Sequence, residues 1–283
     1  NQPPRTGYPG HTANRVEIPD VSMTSVSFTR HPGRVIMAML ATILATYGIS
    51  AAQAENPADR ADRVDNRVYK EWPLIVTADH ADGCGQALAL GQQAQQDGGL
   101  AATFSLLNWN VEKAKDPSLV SEFAELARLS DLIFLQEAVP LKKTQTVIEQ
   151  SLFEAFVRGY VQNEVETGVL TLARTPHLVH CQLLATEPWL RTPKATSVTL
   201  YPLADSDDTL LTVNLHAVNF SFGVKAYQGQ LDRAAELIRG HEGPVIFGGD
   251  LNTWSDMRQG VLDSLADELG LIPVPFSPDH RTT

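Results

Sequence analysis

The stretch "VIFGGDLNTWS", residues 245–255, carries an acid and an amide two positions apart, directly after an apolar run. Side chains alternate between the two faces of an extended strand, so Asp250 and Asn252 are expected to point the same way. Gly248 and Gly249 before them leave room for close approach to the backbone. A carboxylate and an amide at the end of a buried strand can hold a cation or a phosphoryl oxygen.

Three other apolar segments end in the same way. "LLNWNVEK" puts Asn110 and Glu112 on one face, "DLIFLQEA" ends with Glu137, and "TVNLHAVNF" carries His216. If these tips meet at one sheet edge, Glu112, Glu137 and Asp250 bring together three like charges, which repel unless protons or a cation neutralise them. Oxygen ligands without thiolates favour a hard ion, so we expect Mg2+ or Mn2+ rather than zinc.

Such a site suits the hydrolysis of a phosphate ester. The metal would neutralise phosphoryl oxygens and help deliver hydroxide, amides would hold the remaining oxygens, and a histidine would stabilise charge or transfer a proton. Each residue alone also has a structural interpretation: an Asp or Asn after a strand is often a turn former, Glu137 a surface carboxylate, and His216 a hydrogen-bonded structural histidine. The co-occurrence of all these tips favours a site.

The elements that must position the tips are short strands and amphipathic helices. Strands are predicted at "TFSLLNWNVE", "DLIFLQEA", "GVLTLAR", "VHCQLLAT", "TSVTLYPL", "TLLTVNLHAV" and "PVIFGGD", and helices over 117–129, 144–158, 224–239 and 256–269. Successive strands without helical crossovers imply antiparallel pairing, and amphipathic helices must cover sheet faces. We therefore predict an α/β (α+β) fold, a four-layer αββα sandwich of two mixed β-sheets packed face to face with outer helices.

Composition bounds the partners. A chain of 283 residues with 43% hydrophobic residues can bury a full core. Its net charge of -11 gives no broad basic surface for a polyanion, so contact with nucleic acid would have to be local and assisted by a cation. Cys84 and Cys181 allow at most one disulfide and have no metal-type spacing. We expect a monomer whose substrate is a phosphate ester, with nucleic acid among the candidates.

The N-terminal region has the layout of a cleaved secretory signal: Arg30, His31 and Arg34 precede "VIMAMLATILATYGIS" and then "AAQA". We predict that 1–22 lies upstream of the true start, 23–54 is a signal peptide, 55–100 is a linker with at most one helix, and 101–283 is the folded domain. The protein would be periplasmic or secreted, with no stable membrane span after processing. The alternatives are an uncleaved N-terminal anchor and a separate small module over 55–99.

The order of five motifs, "LLNWNVEK", "DLIFLQEA", "ETGVLTLAR", "NLHAVNF" and "VIFGGDLNTWS", resembles the endonuclease/exonuclease/phosphatase superfamily, which includes DNase I and exonuclease III. The resemblance covers about 101 to the end, and it is strongest to a bacterial branch with "HAVNFSxGV". It implies that Glu137 is the principal metal ligand, with Asn110 near the metal and the phosphate and Glu112 as the acid two positions further on.

The same resemblance implies roles around the scissile bond. His216 would lie near the leaving oxygen, and Asn219 would be a phosphate-contacting amide. Asp250 would orient or activate the attacking water, and Asn252 would hold a phosphoryl oxygen.

One departure concerns the end of the chain. The family closes with an aspartate–histidine strand motif and an "SDH"-like motif, whereas this sequence stops at "FSPDHRTT". Asp279 and His280 match the letters, but Pro278 precedes them and no full strand follows. We therefore expect a fragment without its C-terminal strands, and losing the closing histidine would cost on the order of 10²-fold in rate. The alternative function is a non-catalytic or inactive binding module on the same scaffold.

Overall fold

The computed structural model describes residues 21–27, 36–37, 81–94, 98–114, 118–140, 152–162 and 164–274. The first strands and helices in chain order are β1 (Val21–Ser27), β2 (Ile36–Met37), α1 (Ala81–Gln92), β3 (Thr103–Asn110), α2 (Ser118–Arg128), β4 (Leu132–Ala138) and β5 (Phe153–Gln162). The remaining elements are β6 (Val165–Ala173), β7 (Val179–Thr186), β8 (Pro193–Pro202), β9 (Thr209–His216), α3 (Lys225–Arg239), β10 (Val245–Asp250), α4 (Asp256–Leu269) and β11 (Ile272–Pro273).

The strands form two mixed sheets. The first has the order β1-β3-β4-β6-β5 and the second β11-β2-β10-β9-β8-β7. Within them β3 runs parallel to β4 and β9 parallel to β10, while β6 pairs antiparallel with β4 and β5, and β8 with β7 and β9. The predicted pair of mixed sheets is therefore confirmed.

The sheets face each other across a buried apolar layer. Phe104 and Phe134 from the first sheet share one core cluster with Tyr201, Leu210 and Ile246 from the second. The outer face of the second sheet is covered by α1, α3 and α4, and the outer face of the first by α2. This order of layers confirms the αββα sandwich.

The segment predicted as a linker contributes to the core. Helix α1 lies within 55–100, yet its Cys84, Ala87 and Leu88 are buried against the second sheet. The Cys84 thiol is hydrogen-bonded to the buried Cys181 of β7, which together with burial raises the pKa of Cys181. The packed part of the domain thus begins before residue 101.

The predicted helix over 144–158 is wrong from Phe153 onward. This stretch is strand β5, which pairs antiparallel with β6 along its whole length. Ala155 and Val157 are buried while Glu154 and Arg158 are exposed, as expected for a strand. Pairing with a neighbouring strand has overridden the local pattern. Residues 144–151 of that prediction lie outside the described residues.

Strands β1 and β2 fall in the range assigned to a leader. Val21–Ser27 pairs antiparallel with β3, and Ile36–Met37 pairs parallel with β10. If the chain were cleaved after Ala54, β1 and β2 would be absent from the sheets of the mature protein. The paired strands therefore belong to the uncleaved chain. Export stays a prediction. Among the helices of the described part of the chain, none is both long and apolar enough to cross a membrane.

Candidate active site

Four strands end at the same place. In the parallel pair β3–β4, Asn110 lies opposite Gln136, and in the parallel pair β9–β10, His216 lies opposite Asp250. Parallel strands put their carboxyl ends at one edge. The two edges are joined by a hydrogen bond from Asn110 Nδ2 to Asp250 Oδ2, of 2.9 Å. The structure thus brings together Asn110, His216 and Asp250 as the strand tips predicted.

Asp250 is the most highly connected of these side chains. Its Oδ2 also lies 3.5 Å from His216 Nε2, and its Oδ1 accepts the backbone N–H of Asn252 at 3.2 Å. Burial raises the pKa of the Asp250 carboxyl, against the opposing effect of the hydrogen bonds from Asn110 and Asn252. A carboxylate held in this way is more basic than one in water, which suits the activation of a water molecule.

His216 is neutral at neutral pH. Burial, followed by the nearby positive charge of Lys194, lowers its pKa to about 3. Its contact with Asp250 is therefore not an ion pair. Lys194 Nζ lies 3.0 Å from His216 Nε2, and since an ammonium has no acceptor, Nε2 must be the acceptor and the ring proton must lie on Nδ1. In this arrangement Nε2 has no proton to give to a leaving group.

Lys194 is held from behind by Glu187. The Glu187 side chain is 1% exposed, and its Oε1 lies 3.8 Å from Lys194 Nζ. The same carboxylate accepts the Thr192 hydroxyl at 2.6 Å and the backbone N–H groups of Asn219 and Phe220 at 2.9 and 3.2 Å. Burial alone would raise the pKa of Glu187, but these donors and Lys194 lower it, so the carboxylate is ionised.

Sequence reasoning missed both Lys194 and Glu187. Lys194 stands near the amino end of β8, which runs antiparallel to β9 and so begins where His216 ends β9. Glu187 directly follows β7. The available signal was this strand order, because the letters "TPKATSV" alone resemble an ordinary strand entry.

Glu137 and Glu112 lie where the backbone departs from regular strand geometry, Glu137 at a register shift near the end of β4 and Glu112 just after β3. Both have left-handed conformations, with φ of 48° and 43°, and so does Lys113 with φ of 67°. Non-glycine residues in this region are strained, and such strain is often found at functional sites. Glu137 Oε2 forms a salt bridge of 3.0 Å with Lys113 Nζ. Burial would lower the Lys113 pKa, but the hydrogen bond and the charge of Glu137 raise it.

The predicted cluster of three carboxylates is not assembled. Strand β3 ends at Asn110, so the alternation does not continue to Glu112, which is exposed and donates its backbone N–H to Asn110 Oδ1 at 3.1 Å. Within the described ranges, no group of three or more His, Cys, Asp or Glu side chains is arranged to hold a metal ion. Asp279 and His280 lie outside those ranges.

Asn252 and Asn219 line the same edge and have protein partners. Asn252 has a φ of 48°, and its Nδ2 donates to the carbonyl of Ala217 at 3.0 Å. Asn219 Oδ1 accepts the indole N–H of Trp254 at 2.8 Å. The amides predicted to contact phosphate are thus beside the site, and their hydrogen bonds set their present orientation.

A buried amide network supports the tips from below. Gln136 Nε2 donates to Asn108 Oδ1 at 2.9 Å and to Asn214 Oδ1 at 2.8 Å, which links β4 with strands of both sheets. Asn214 Nδ2 donates to the Leu170 carbonyl at 3.1 Å. Hydrogen-bonded amides between the two sheets fix the relative positions of the strands whose ends form the site.

Similar solved structures include D. rerio TDP2 complexed with a single-strand DNA product. It is 19% identical, with a TM-score of 0.39, over 60% of this chain and 65% of that one. An endonuclease/exonuclease/phosphatase family protein from Leptotrichia buccalis is 13% identical, with a TM-score of 0.43, over 58% and 73% of the two chains.

Sequence relatives are closer. A UPF0294 protein of Vibrio cholerae serotype O1 is 37% identical over 185 residues, which are 65% of this chain and 66% of the relative. A UPF0294 protein of Yersinia enterocolitica is 37% identical over 204 residues, 70% and 77% of the two chains. The model of the endonuclease/exonuclease/phosphatase family matches residues 107–280. The resemblance inferred from the order of five motifs is confirmed, and the chain belongs to the endonuclease/exonuclease/phosphatase family.

Proposed function

We propose that the chain is a divalent-metal-dependent phosphoesterase that hydrolyses phosphodiester or related phosphate-ester bonds. The observation that carries the proposal is the convergence of Asn110, Lys194, His216 and Asp250 at one edge of the sandwich, with contacts of 2.9 to 3.5 Å between neighbours. Membership of the endonuclease/exonuclease/phosphatase family supports phosphoester hydrolysis as the reaction class.

Some of these side chains would act on the attacking water and others on the leaving group. Asp250, whose pKa is raised by burial, would orient the attacking water and accept its proton. The Lys194 ammonium would stabilise the negative charge that develops on the phosphoryl or leaving oxygen, and Glu187 keeps it in position. His216, a neutral ring, accepts a hydrogen bond from Lys194 through Nε2 and so helps to position the ammonium, while Asn110 holds Asp250.

The oxygen donors at this edge fit a hard divalent ion. Glu137 and Asn110 would hold it, with Glu112 as the further predicted ligand, since magnesium sites use one or two carboxylates together with water and substrate phosphates. When bound, Mg2+ or Mn2+ would neutralise phosphoryl oxygens and make water more acidic. The Glu137 carboxylate would then have to exchange its contact with Lys113 for the ion.

A non-catalytic binding module is the second candidate. The salt bridge between Lys113 and Glu137 favours it, because a cation of the chain already neutralises the predicted principal ligand. A module of this kind would bind a phosphate ester through Lys194 and the surrounding amides without cleaving it.

Hydrolysis of a soluble diester separates the two candidates. The purified full chain is incubated with bis(p-nitrophenyl) phosphate and Mg2+ or Mn2+, and with EDTA. We expect metal-dependent release of p-nitrophenol, which falls on the order of 10²-fold or more in Asp250→Asn, as for loss of a general base. The matched control is Asp232→Asn, an exposed acid on α3, which should keep full activity. Absence of release with either metal would support the binding module.

We also propose that the protein is exported, because a basic region and an apolar run precede "AAQA". Mass spectrometry of the chain recovered from cell fractions tests this. A mature N-terminus at residue 55 in an extracytoplasmic fraction supports cleavage, whereas an intact N-terminus in the membrane fraction supports the anchor.

A further inference from the structure

An exposed apolar surface lies beside the candidate active site, on the side of the second sheet. It lies on three segments that follow β7, β9 and β10, the strands that carry or precede Glu187, His216 and Asp250. Six large apolar side chains, each 57% to 80% exposed, form what we call the apolar rim: Trp189, Leu190, Phe220, Phe222, Trp254 and Met257. Clusters of exposed apolar side chains on a folded domain often mark binding surfaces.

Buried polar groups hold the rim in place. The Glu187 carboxylate binds the backbone N–H groups of Asn219 and Phe220. The buried Arg258 guanidinium donates to the carbonyls of Val218 and Asn219, each at 2.6 Å, and lies 4.6 Å from the centre of the Trp254 ring. The backbone of these segments is thus fixed by internal charges while their large side chains point to solvent.

Two rim residues from different segments also contact each other. The rings of Trp189 and Phe222 lie 4.4 Å apart, between centroids, in an edge-to-face arrangement. This contact joins the segment after β7 to the segment after β9, and the hydrogen bond from the Trp254 indole to Asn219 joins the segment after β10 to them. Exposing the rim to water is unfavourable, and a partner that covers it would remove that cost.

The composition of the rim favours a lipid surface over nucleic acid. Leu190 and Met257 have no aromatic face on which a base could stack, and binding of a polyanion requires a basic groove. In residues 188–191, 219–224 and 252–257, the exposed charged side chains are Arg191 and Asp256, one of each sign, and the whole chain carries a net charge of -11. Tryptophan, phenylalanine and leucine without net charge suit the interface of a zwitterionic bilayer.

We propose that the apolar rim binds the surface of a zwitterionic phospholipid bilayer and presents a lipid phosphodiester to Asp250 and Lys194. The substrate part rests on the proposed phosphoesterase function, whereas the binding part does not. The rim would enter the headgroup region, so that the polar edge behind it faces the phosphates.

Binding is tested with the full chain and phosphatidylcholine vesicles by sedimentation. The double variant W189S/F222S removes two rings of the rim, and Leu129→Ser is the control, since Leu129 is 63% exposed but precedes β4, at the opposite edge of the sandwich from Glu137. We expect the partition coefficient of the double variant to fall about tenfold or more, since each buried aromatic side chain favours transfer from water. The control should bind like the parent.

A second measurement reports on the rim directly. Vesicles with brominated acyl chains should quench the fluorescence of the parent, and the quenching should fall in W189F/W254F. Equal sedimentation of the parent and W189S/F222S would overturn the proposal, as would equal quenching in W189F/W254F. Tighter binding of single-stranded DNA than of vesicles, lost in W189S/F222S, would assign the rim to nucleic acid instead and would also overturn it.

Activity separates failure of the rim from failure of the proposed function. We expect W189S/F222S to hydrolyse phosphodiester lipid in vesicles about tenfold more slowly than the parent and bis(p-nitrophenyl) phosphate at the parental rate. Parental rates on both substrates would overturn the lipid assignment and leave the phosphoesterase function intact. Vesicle binding without hydrolysis of either substrate would overturn the substrate part and the phosphoesterase function, and would leave the binding part standing.

Discussion

Asn110 and Asp250, 140 positions apart in the chain, form a 2.9 Å hydrogen bond that joins the carboxyl ends of strands from two different sheets. The bond holds the carboxylate beside His216 and Lys194, so the site depends on the sandwich being correctly closed. The Asn110 amide has two effects on the mostly buried Asp250 carboxylate. It provides a hydrogen-bond donor for it, and it fixes the orientation of the carboxylate toward the site.

Asn110→Ala removes the donor of this bond. Because a mostly buried carboxylate then loses one of its partners, we expect the free energy of unfolding to fall by about 1–3 kcal/mol. Urea unfolding of the full chain measures the change. Gln259→Ala is the control, because the Gln259 side chain donates to the exposed Asp263 on its own helix, and its loss should change stability by less than about 0.5 kcal/mol. Equal losses in the two variants would show that the cross-sheet bond is of little consequence.

Lys194→Met should abolish most of the hydrolysis. We expect a rate loss on the order of 10²-fold or more, as for removal of a preorganised charge at a transition state. The substitution has a second readout, because the charge of Lys194 is one cause of the low His216 pKa. That pKa should therefore rise above about 3 in the variant, which NMR titration of the imidazole can follow. An unchanged His216 titration would contradict the short contact between the two side chains.

The architecture was predictable from the sequence because strand alternation and helical periodicity are local signals. Seven predicted strands and three of the four helices are found, and the buried strands "DLIFLQEA" and "PVIFGGD" lie in the two sheet interiors. The failure at Phe153 has a non-local cause, since β5 exists by pairing with β6 and its own residues do not exclude a helix.

The site was predictable only in part. Asp250 and His216 end strands, so their positions follow from strand direction and sheet order. Glu112 was misplaced because the chain leaves the strand through left-handed residues, which alternation cannot foresee. Lys194 and Glu187 were missed because the sequence around them has no pattern of polar residues. Lys194 lies at the start of β8 and Glu187 just after the end of β7.

Gly249 is required at its position in the strand that ends in Asp250. Its φ is +133°, and a Cβ atom there would lie 1.9 Å from the Leu215 carbonyl oxygen of the neighbouring strand. We expect Gly249→Ala to destabilise the fold by more than about 3 kcal/mol, through backbone strain and a clash with main chain. Gly260→Ala is the matched control. Gly260 lies in α4, and among the residues that the structure describes no atom outside its own helix backbone comes within 4 Å of the added methyl, so alanine should stabilise by about 0.4–1 kcal/mol. Thermal unfolding that ranks the two variants in the opposite order would contradict the close approach.

Two buried histidines should make the fold sensitive to acid. Burial lowers the pKa of His177 from 6.5 to about 4, and burial with the charge of His177 lowers that of His180 to about 3. The unfolded chain takes up protons near its ordinary value of 6.5, so it binds more protons than the folded chain below that pH. Above pH 6.5 these histidines do not change the free energy of unfolding. As the pH falls from 6.5 toward the folded-state pKa, that free energy decreases, by about 2 kcal/mol per histidine at pH 5.

His177→Leu isolates one of these contributions. Both ring nitrogens of His177 lack a hydrogen-bond partner among the residues that the structure describes, so leucine should not sacrifice a bond. Between pH 7.5 and pH 5, both proteins should lose free energy of unfolding, and the variant should lose about 2 kcal/mol less than the parent. Urea unfolding at the two pH values measures this difference. An identical pH dependence would mean that His177 is already protonated, or hydrated, in the folded state.

Lys113→Met should increase the affinity for a divalent ion. Glu137 Oε2 is bound to Lys113 Nζ at 3.0 Å, so an ion that uses Glu137 must compete with this ammonium. Without it we expect the dissociation constant for Mn2+ to fall roughly tenfold, equivalent to about 1.4 kcal/mol, in titration calorimetry. Arg158→Met is the control: Arg158 pairs with Glu166 at an exposed place on β5 and β6, and its loss should leave Mn2+ affinity unchanged. Glu137→Gln should weaken binding whether or not Lys113 is present. If Lys113→Met and the parent bind Mn2+ alike while Glu137→Gln also binds normally, Glu137 is not a ligand, and its salt bridge serves only to join the end of β4 to the segment after β3.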